Sequence, residues 1–412
     1  MSIWIKNSNV VFMINDTSAL KAILFFSLAY VLMSCSSDDP SPNKEPEQPL
    51  IRMHIAPGQY IGDAYLVITD MGGNVLCTQK IINGTDTSYY AKDGYTGETI
   101  NLYVANQTPE FYHTTAYLNI KRGSDWGPPA SGGLGSVKNP IKIKLVNVPT
   151  FSHLTYGTNY LTWTANNIND TTGRTSLNYI ESGKAYAQVI KNGEGEHGFF
   201  DIDEANQSAT LDLSSLQPSV KKNVAAPISG VTGGHFSLWG FETVDGYESN
   251  YLFMDVGYSG GGLDVFYPSK PFSRYSSYFL YRNDSRLYIE TRNGSLNLDY
   301  QPMDFDAEIV NSSPADFSAN FTGEFDYFYA YYRSTDAKAF IHVYGSENTN
   351  KFSMPDLSGV VPMPKLNLSD FTLSNLELND LDGLEESSDY FKYYSIKPLV
   401  TSARQRIVSV VK

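Results

Sequence analysis

The chain has 412 residues, and its 30 Lys and Arg against 44 Asp and Glu leave a formal charge of −14. A body this acidic repels phosphate backbones and anionic lipid surfaces, which sets nucleic acid aside as a partner, and acidity of this size also keeps a protein soluble. With 30 Tyr, 22 Phe, 32 Gly and 20 Pro the composition favours pleated strands joined by many turns over helices.

In chain order the first feature is Ala22 to Ser34, a nearly all-apolar run that follows Lys21 and ends in Leu32-Met33-Ser34-Cys35. The run is too short to span a bilayer as a helix and has the length of the apolar region of a secretory leader. Polar, Pro-containing sequence follows at once without a basic stop-transfer cluster, which disfavours a retained anchor. Cleavage before Cys35 is therefore expected, making residues 1–34 a leader; Met13 is an alternative start. The block Leu32 to Cys35 resembles the lipobox of bacterial lipoproteins. That resemblance implies a mature chain beginning at Cys35, acylated on its thiol and amino group and held in a membrane leaflet.

Behind Cys35 come Ser36-Ser37-Asp38-Asp39 and then Pro40, Pro42, Pro46 and Pro49. So few apolar residues cannot offset ordering entropy, so residues 35–49 are expected to form an extended tether. The Ser/Asp patch resembles the export signal of surface-exposed lipoproteins of the Bacteroidota, which implies display on the outer face of the outer membrane. Losing Lys6, Asp16 and Lys21 with the leader takes the charge from −14 to −15. If Cys35 is acylated, the other cysteine, Cys77, has no disulfide partner. It sits in the apolar stretch Val75-Leu76-Cys77, where a small buried thiol is the expectation. Stability must then come from packed cores, and 378 residues from Cys35 onward suffice for two or three.

From Leu50 on, strand signals dominate. Tyr65 to Thr69 and Val75 to Ile82 flank Gly72-Gly73-Asn74 as a hairpin, and Ile100, Leu102 and Val104 alternate with Asn101, Tyr103 and Ala105. Ile141, Ile143 and Leu145 alternate with Lys142 and Lys144. Residues 50–148 thus read as an antiparallel sandwich of a usual size, about a hundred residues. The hairpin from Tyr65 to Ile82 resembles transthyretin-like or carboxypeptidase-regulatory sandwiches. Gly123 to Gly135, rich in Gly and Pro, can be neither a central strand nor a helix. It is expected to be a long loop carrying Trp126, either exposed as a contact for a sugar face or partner, or folded back over its own core.

Beyond Pro149, strands are expected at Tyr160 to Trp163, Ala185 to Ile190, Phe236 to Phe241 and Tyr251 to Val256. Tyr278 to Arg282, Arg286 to Arg292 and Ser295 to Tyr300 form a predicted meander around turns at Asn283-Asp284-Ser285 and Asn293-Gly294. Phe325 to Tyr332 has aromatics on both faces. Tyr327, Tyr329 and Tyr331 are candidate glycan or partner contacts, because tyrosine offers a flat apolar face with a polar tip. The favoured reading of the same run is a central strand between packed layers, since strands buried on both faces read as continuous apolar runs. No long amphipathic helix is expected, and the fold class is all-β: two or three antiparallel β-sandwich (Ig-like or transthyretin-like) domains, with 149–412 holding one or two.

Gly257-Tyr258-Ser259-Gly260-Gly261 satisfies G-x-S-x-G, but a nucleophile elbow needs a helix next, whereas Leu263-Asp264-Val265 leads to another strand. The histidines, His54, His113, His153, His197, His235 and His342, lack metal-ligand spacing. Asp201 to Glu204 and Asp380 to Gly383 could donate oxygens to calcium, but neither completes an EF-hand loop. No catalytic residue, metal or cofactor is therefore expected. Asp170-Thr171-Thr172 resembles the short O-glycosylation signal of Bacteroidota.

Three functional readings follow. The first is a non-catalytic surface lipoprotein, anchored in outer-membrane lipid, that binds a glycan or serves as accessory subunit to an outer-membrane barrel protein. The second is a structural adhesin similar to the fimbrillins, in which Arg404 to Lys412 could be exchanged between subunits as an edge strand. The third is a surface glycosidase whose paired carboxylates lie on loops.

Overall fold

The computed structural model describes residues 4–7, 10–13, 48–92, 94–126, 137–160, 162–165, 176–180, 183–243, 250–383 and 403–411. The chain divides into two units, Met1–Glu47 and Gln48–Lys412. In the first, β1 (Trp4–Asn7) and β2 (Val10–Met13) pair antiparallel. Cys35, the apolar run before it, the Ser/Asp patch and Asp170 to Thr172 lie outside the described residues.

The second unit is all-β and sandwich-like, with no α-helix among the described residues. It opens with β3 (Ile51–His54), β4 (Asp63–Thr69), β5 (Val75–Lys80), β6 (Asp86–Tyr89), β7 (Thr99–Gln107), β8 (Tyr112–Lys121) and β9 (Ser124–Trp126). Strands β8, β7, β4 and β5 form one layer, and the small sheet β6-β3-β9 covers it. Leu66, Ile68, Leu102 and Val104 pack between them with Ile51 and Met53. Cys77 is buried and free, and burial raises its thiol pKa, which suits a packing role rather than a reactive one.

Next come β10 (Val137–Val146), β11 (His153–Thr158), β12 (Thr162–Ala165), β13 (Ser176–Ile180), β14 (Ala185–Lys191), β15 (Glu194–Phe200), β16 (Ser208–Asp212) and β17 (Gln217–Pro218). Sheet β13-β10-β16 faces sheet β12-β11-β14-β15-β17 across a core of Ile141, Leu177, Leu211, Tyr156 and Val189. The alternation of Ile141 and Ile143 with exposed Lys142 and Lys144 is as expected, but β10 pairs with β13 and β16. It therefore belongs to this second sandwich rather than to that of residues 50–126. Alternation fixes which face a strand buries and not which sheet it joins.

The remainder comprises β18 (Val220–Ala225), β19 (Gly233–Phe241), β20 (Asn250–Ser259), β21 (Gly262–Tyr267), β22 (Arg274–Arg282), β23 (Arg286–Gly294), β24 (Asp306–Asn311), β25 (Phe317–Thr322), β26 (Tyr327–Ser334), β27 (Ala339–Ser346), β28 (Lys351–Phe352), β29 (Phe371–Leu381) and β30 (Arg404–Val411). A single 12-stranded sheet runs β20-β19-β22-β23-β30-β29-β26-β27-β8-β7-β4-β5. The parallel pairing of β27 with β8 joins the first sandwich to the rest. On one face, Phe328, Ala330, Tyr332, Ile341 and Val343 bury against Phe317 and Phe352 of sheet β24-β25-β28.

Two expectations need correction. Ser295 to Tyr300 adds no third strand to the meander; β30 lies beside β23 instead. Leu298 and Tyr300 turn into the core, where the Tyr300 hydroxyl donates to Ser277 Oγ at 2.8 Å and the Arg292 guanidinium lies 4.3 Å from the Tyr300 ring centre. Burying those side chains replaces the ladder bonds of a third strand. The C-terminal strand, a candidate for exchange between subunits, is paired within its own chain on both sides, to β23 and β29. After Ser259 the chain turns through Gly260, whose φ of +83° is open to glycine at little cost, and enters β21, so no helix follows the G-x-S-x-G serine.

Candidate functional site

The four aromatic residues singled out from the sequence separate in the structure. Trp126 pairs opposite Met53 and is only 6% exposed, at the end of the first core. It folds back over its own core and is withdrawn as a surface contact. Burying an indole there closes the gap between the two layers of a small sandwich, at a gain of about 1.5–3 kcal/mol. Residues 127–136, expected from the sequence to continue a loop, lie outside the described residues. Tyr327, also 6% exposed, packs into the same core with Tyr344 and is likewise withdrawn.

Tyr329 and Tyr331 are only partly buried on that face of β26: Tyr329 packs against the margin of the first core, and Tyr331 lies beyond it. Alternation along β26, β27 and β8 sets six rings on this face in cross-strand contact. Tyr331 lies opposite His342, and Phe340 opposite His113. Ring centres are 5.0 Å apart for Tyr331–His342 and 5.0 Å for His113–Phe340, the latter stacked, while Tyr329 stacks on Tyr344 at 4.8 Å. The ribbon is thus a surface of partly buried ring faces and edges, the shape and polarity that aromatic contacts use. The Tyr329 hydroxyl and His342 Nδ1 are 2.8 Å apart. Burial, with a smaller push from His113, lowers the pKa of His342 to about 4, so at neutral pH it is an uncharged imidazole.

Beside the tyrosines, β29 contributes Asn375 and Glu377, paired with Tyr331 and Tyr329 in the ladder. Asn375 Nδ2 donates to Glu377 Oε1 at 2.6 Å, and Ser409 of β30 donates to Asn375 Oδ1. Burial raises the pKa of Glu377 more than the Asn375 bond lowers it. The charge of Glu377 in turn raises the Tyr278 phenol on β22, second to that phenol's own burial.

Further along the same face are Ser237, His235 and Asp255. His235 Nε2 lies 2.6 Å from Asp255 Oδ1, and Ser237 Oγ donates to that same oxygen at 2.6 Å. A nucleophilic triad needs serine to give its proton to histidine and histidine to be oriented through its other nitrogen. Here the aspartate accepts the serine hydrogen bond and also meets Nε2, with Ser237 Oγ a longer 3.2 Å from that nitrogen, so the arrangement is a hydrogen-bonded polar cluster. No group of three or more His, Cys, Asp and Glu side chains suited to a metal ion occurs among the described residues.

No family model and no curated protein matches the chain. Among solved structures, a match covers 78% of this chain and 87% of the other at 10% identity and a TM-score of 0.14. That structure is described as "Ca2+-stabilized adhesin helps an Antarctic bacterium reach out and bind ice". A score that low establishes no structural correspondence.

His113, Phe340, His342, Asn375 and Glu377 were not among the sequence candidates. A local signal exists for part of the group, since Phe340, His342 and Tyr344 recur every second residue, as one strand face requires. The parallel pairing that brings His113 beside them joins positions more than two hundred residues apart, which no local pattern encodes.

Proposed function

We propose that this chain is a non-catalytic surface lipoprotein and that the ribbon formed by Tyr331, His342, Phe340 and His113 binds a glycan. The observation that carries the reading is a row of partly buried rings on the middle strands of a large sheet, beside a core that takes in Tyr327 and Tyr344. A sugar ring offers an apolar face of C–H groups to such a surface and hydroxyls around its rim. Asn375, Glu377 and the tyrosine hydroxyls lie alongside to meet those hydroxyls, and the uncharged His342 adds no cation that would demand an anionic ligand. The leader-like run ending at Cys35 supports anchoring by an acylated cysteine, and the Ser/Asp patch supports display toward the exterior.

Binding of the purified full chain to an array of neutral and acidic polysaccharides tests the ligand. Tyr331→Ala is expected to weaken retention at least about tenfold, a loss of roughly 1.4 kcal/mol, while leaving the far-ultraviolet circular dichroism unchanged. Equal retention by the folded variant would remove the ribbon as the contact surface. Mass spectrometry of the native polypeptide tests the anchor separately, by the acyl mass on Cys35.

A further inference from the structure

The strands that carry the aromatic ribbon present a different surface on their opposite face. Ala105 of β7, Thr114 of β8 and Ile341 of β27 floor a cavity of about 530 Å³. Its roof is the segment from Met354 to Leu368, an irregular stretch with a one-turn 3-10 helix at Leu357–Gly359 and another beginning at Leu368. Met354, Leu357, Met363, Leu366 and Leu368 line the roof, and all five also belong to or pack against the principal core.

The cavity is partly open to solvent, and water in so aliphatic a space finds few partners. The volume falls in the range of sites that enclose a small ligand. The walls hold one aromatic ring, Tyr112, against two methionines and three leucines, which suits a flexible aliphatic chain better than a planar ring. Polarity is concentrated on the roof, where Asp356 Oδ2 and Lys365 Nζ are 3.1 Å apart with side chains 47% and 76% exposed. Asp356 also caps the first 3-10 turn by accepting from Ser358 N at 3.0 Å. An exposed ion pair of this kind is a weak clasp between two limbs of a loop, so it resists opening little.

We infer that this cavity binds the aliphatic chain of a single-chain amphiphile, with the polar end of the ligand beside the Asp356–Lys365 pair. The inference stands independently of the glycan reading, because alternation along β8 and β27 puts the two sites on opposite faces of the sheet.

The test is titration of the full-length protein with the fluorescent fatty acid dansyl-undecanoic acid, followed by displacement with saturated fatty acids. The expected result is saturable binding near one per chain, displaced by dodecanoate and not by butanoate. Leu366→Trp, which fills the space from the roof, should weaken binding at least tenfold. Lys365→Glu should weaken dodecanoate several-fold and favour dodecyltrimethylammonium. Tyr331→Ala should bind the fatty acid as the parent does. Absence of saturable binding, displacement independent of chain length, or unchanged binding by a folded Leu366→Trp variant would each overturn the inference. The chain-length series uses the parent protein alone and so decides the matter even if that variant does not fold.

Discussion

Tyr332 is fully buried, and its hydroxyl has no hydrogen-bond partner. Burial pushes the phenol pKa up, and the unmet group imposes a desolvation cost on the fold. Tyr332→Phe keeps the ring against Phe352 and removes that cost, so it is expected to stabilise by about 1 kcal/mol, read as a higher denaturant midpoint at unchanged slope. His342 acts oppositely with pH. Above about pH 6.5 its imidazole is neutral in both folded and unfolded chains and contributes no pH dependence. Between 6.5 and the folded value of about 4, the unfolded chain takes up a proton that the folded site refuses, so stability falls as pH drops. Below that window both states are protonated and the loss levels off, at no more than about 3 kcal/mol. The groups facing the ring are Tyr329, Tyr331 and His113, and burial lowers the pKa of His113 as well, with the same sign. His342→Phe should therefore flatten, without abolishing, the fall in denaturation midpoint between pH 7 and 4.5.

At the scale of single strands, much was legible. The hairpin of β4 and β5 was set by Tyr65 to Thr69, Val75 onward and a Gly-Gly-Asn turn, in which Asp70 Oδ1 accepts from Asn74 N at 2.8 Å. The aromatic run of β26 was readable both as a central strand and as a platform, and the structure divides the two roles by face: Phe328 and Tyr332 enter the core, while Tyr329 and Tyr331 remain partly exposed. What could not be read was the covering layer. Whether Tyr327 or Tyr331 meets solvent depends on where β6-β3-β9 ends above the sheet, and that follows from β26 lying two strands from β8. Trp126 fails for the same reason, since Gly and Pro residues after it mark a loop without showing that the preceding three residues pair with β3. Gly345 on β27 shows how tightly the adjacent strand fits: a Cβ there would run into the ring of Phe328, its cross-strand partner on β26. Gly345→Ala is expected to destabilise by about 1–3 kcal/mol through overpacking, measured by the same denaturant midpoint.

The large sheet depends on its last strand. Without β30 it would part into four strands, β20 to β23, and seven, β29 to β5, each with a newly unpaired edge. Val408 and Val410 enter the core there, and the ionic contacts of the strand link both halves. Glu290 of β23, with no exposure, accepts from Arg292 Nε and Arg404 Nε at 2.7 Å each, while Arg406 pairs with Asp380 of β29 and, at 3.1 Å, with Asp304. Removing one member of a buried ion pair leaves the others uncompensated, which costs more than the pair contributes net. Glu290→Ala is therefore expected to lower stability by about 3–5 kcal/mol, whereas Lys365→Ala, at an exposed pair, should change it by less than about 1 kcal/mol. Deleting 404–412 removes the ladder bonds to both halves at once. The expected outcome is that the main calorimetric unfolding transition splits in two and the soluble fraction falls, as the edges of β23 and β29 become open to pairing with other chains. A truncated chain that still melted in one transition at the parent temperature would show that the two halves are held together by their facing layers rather than by β30.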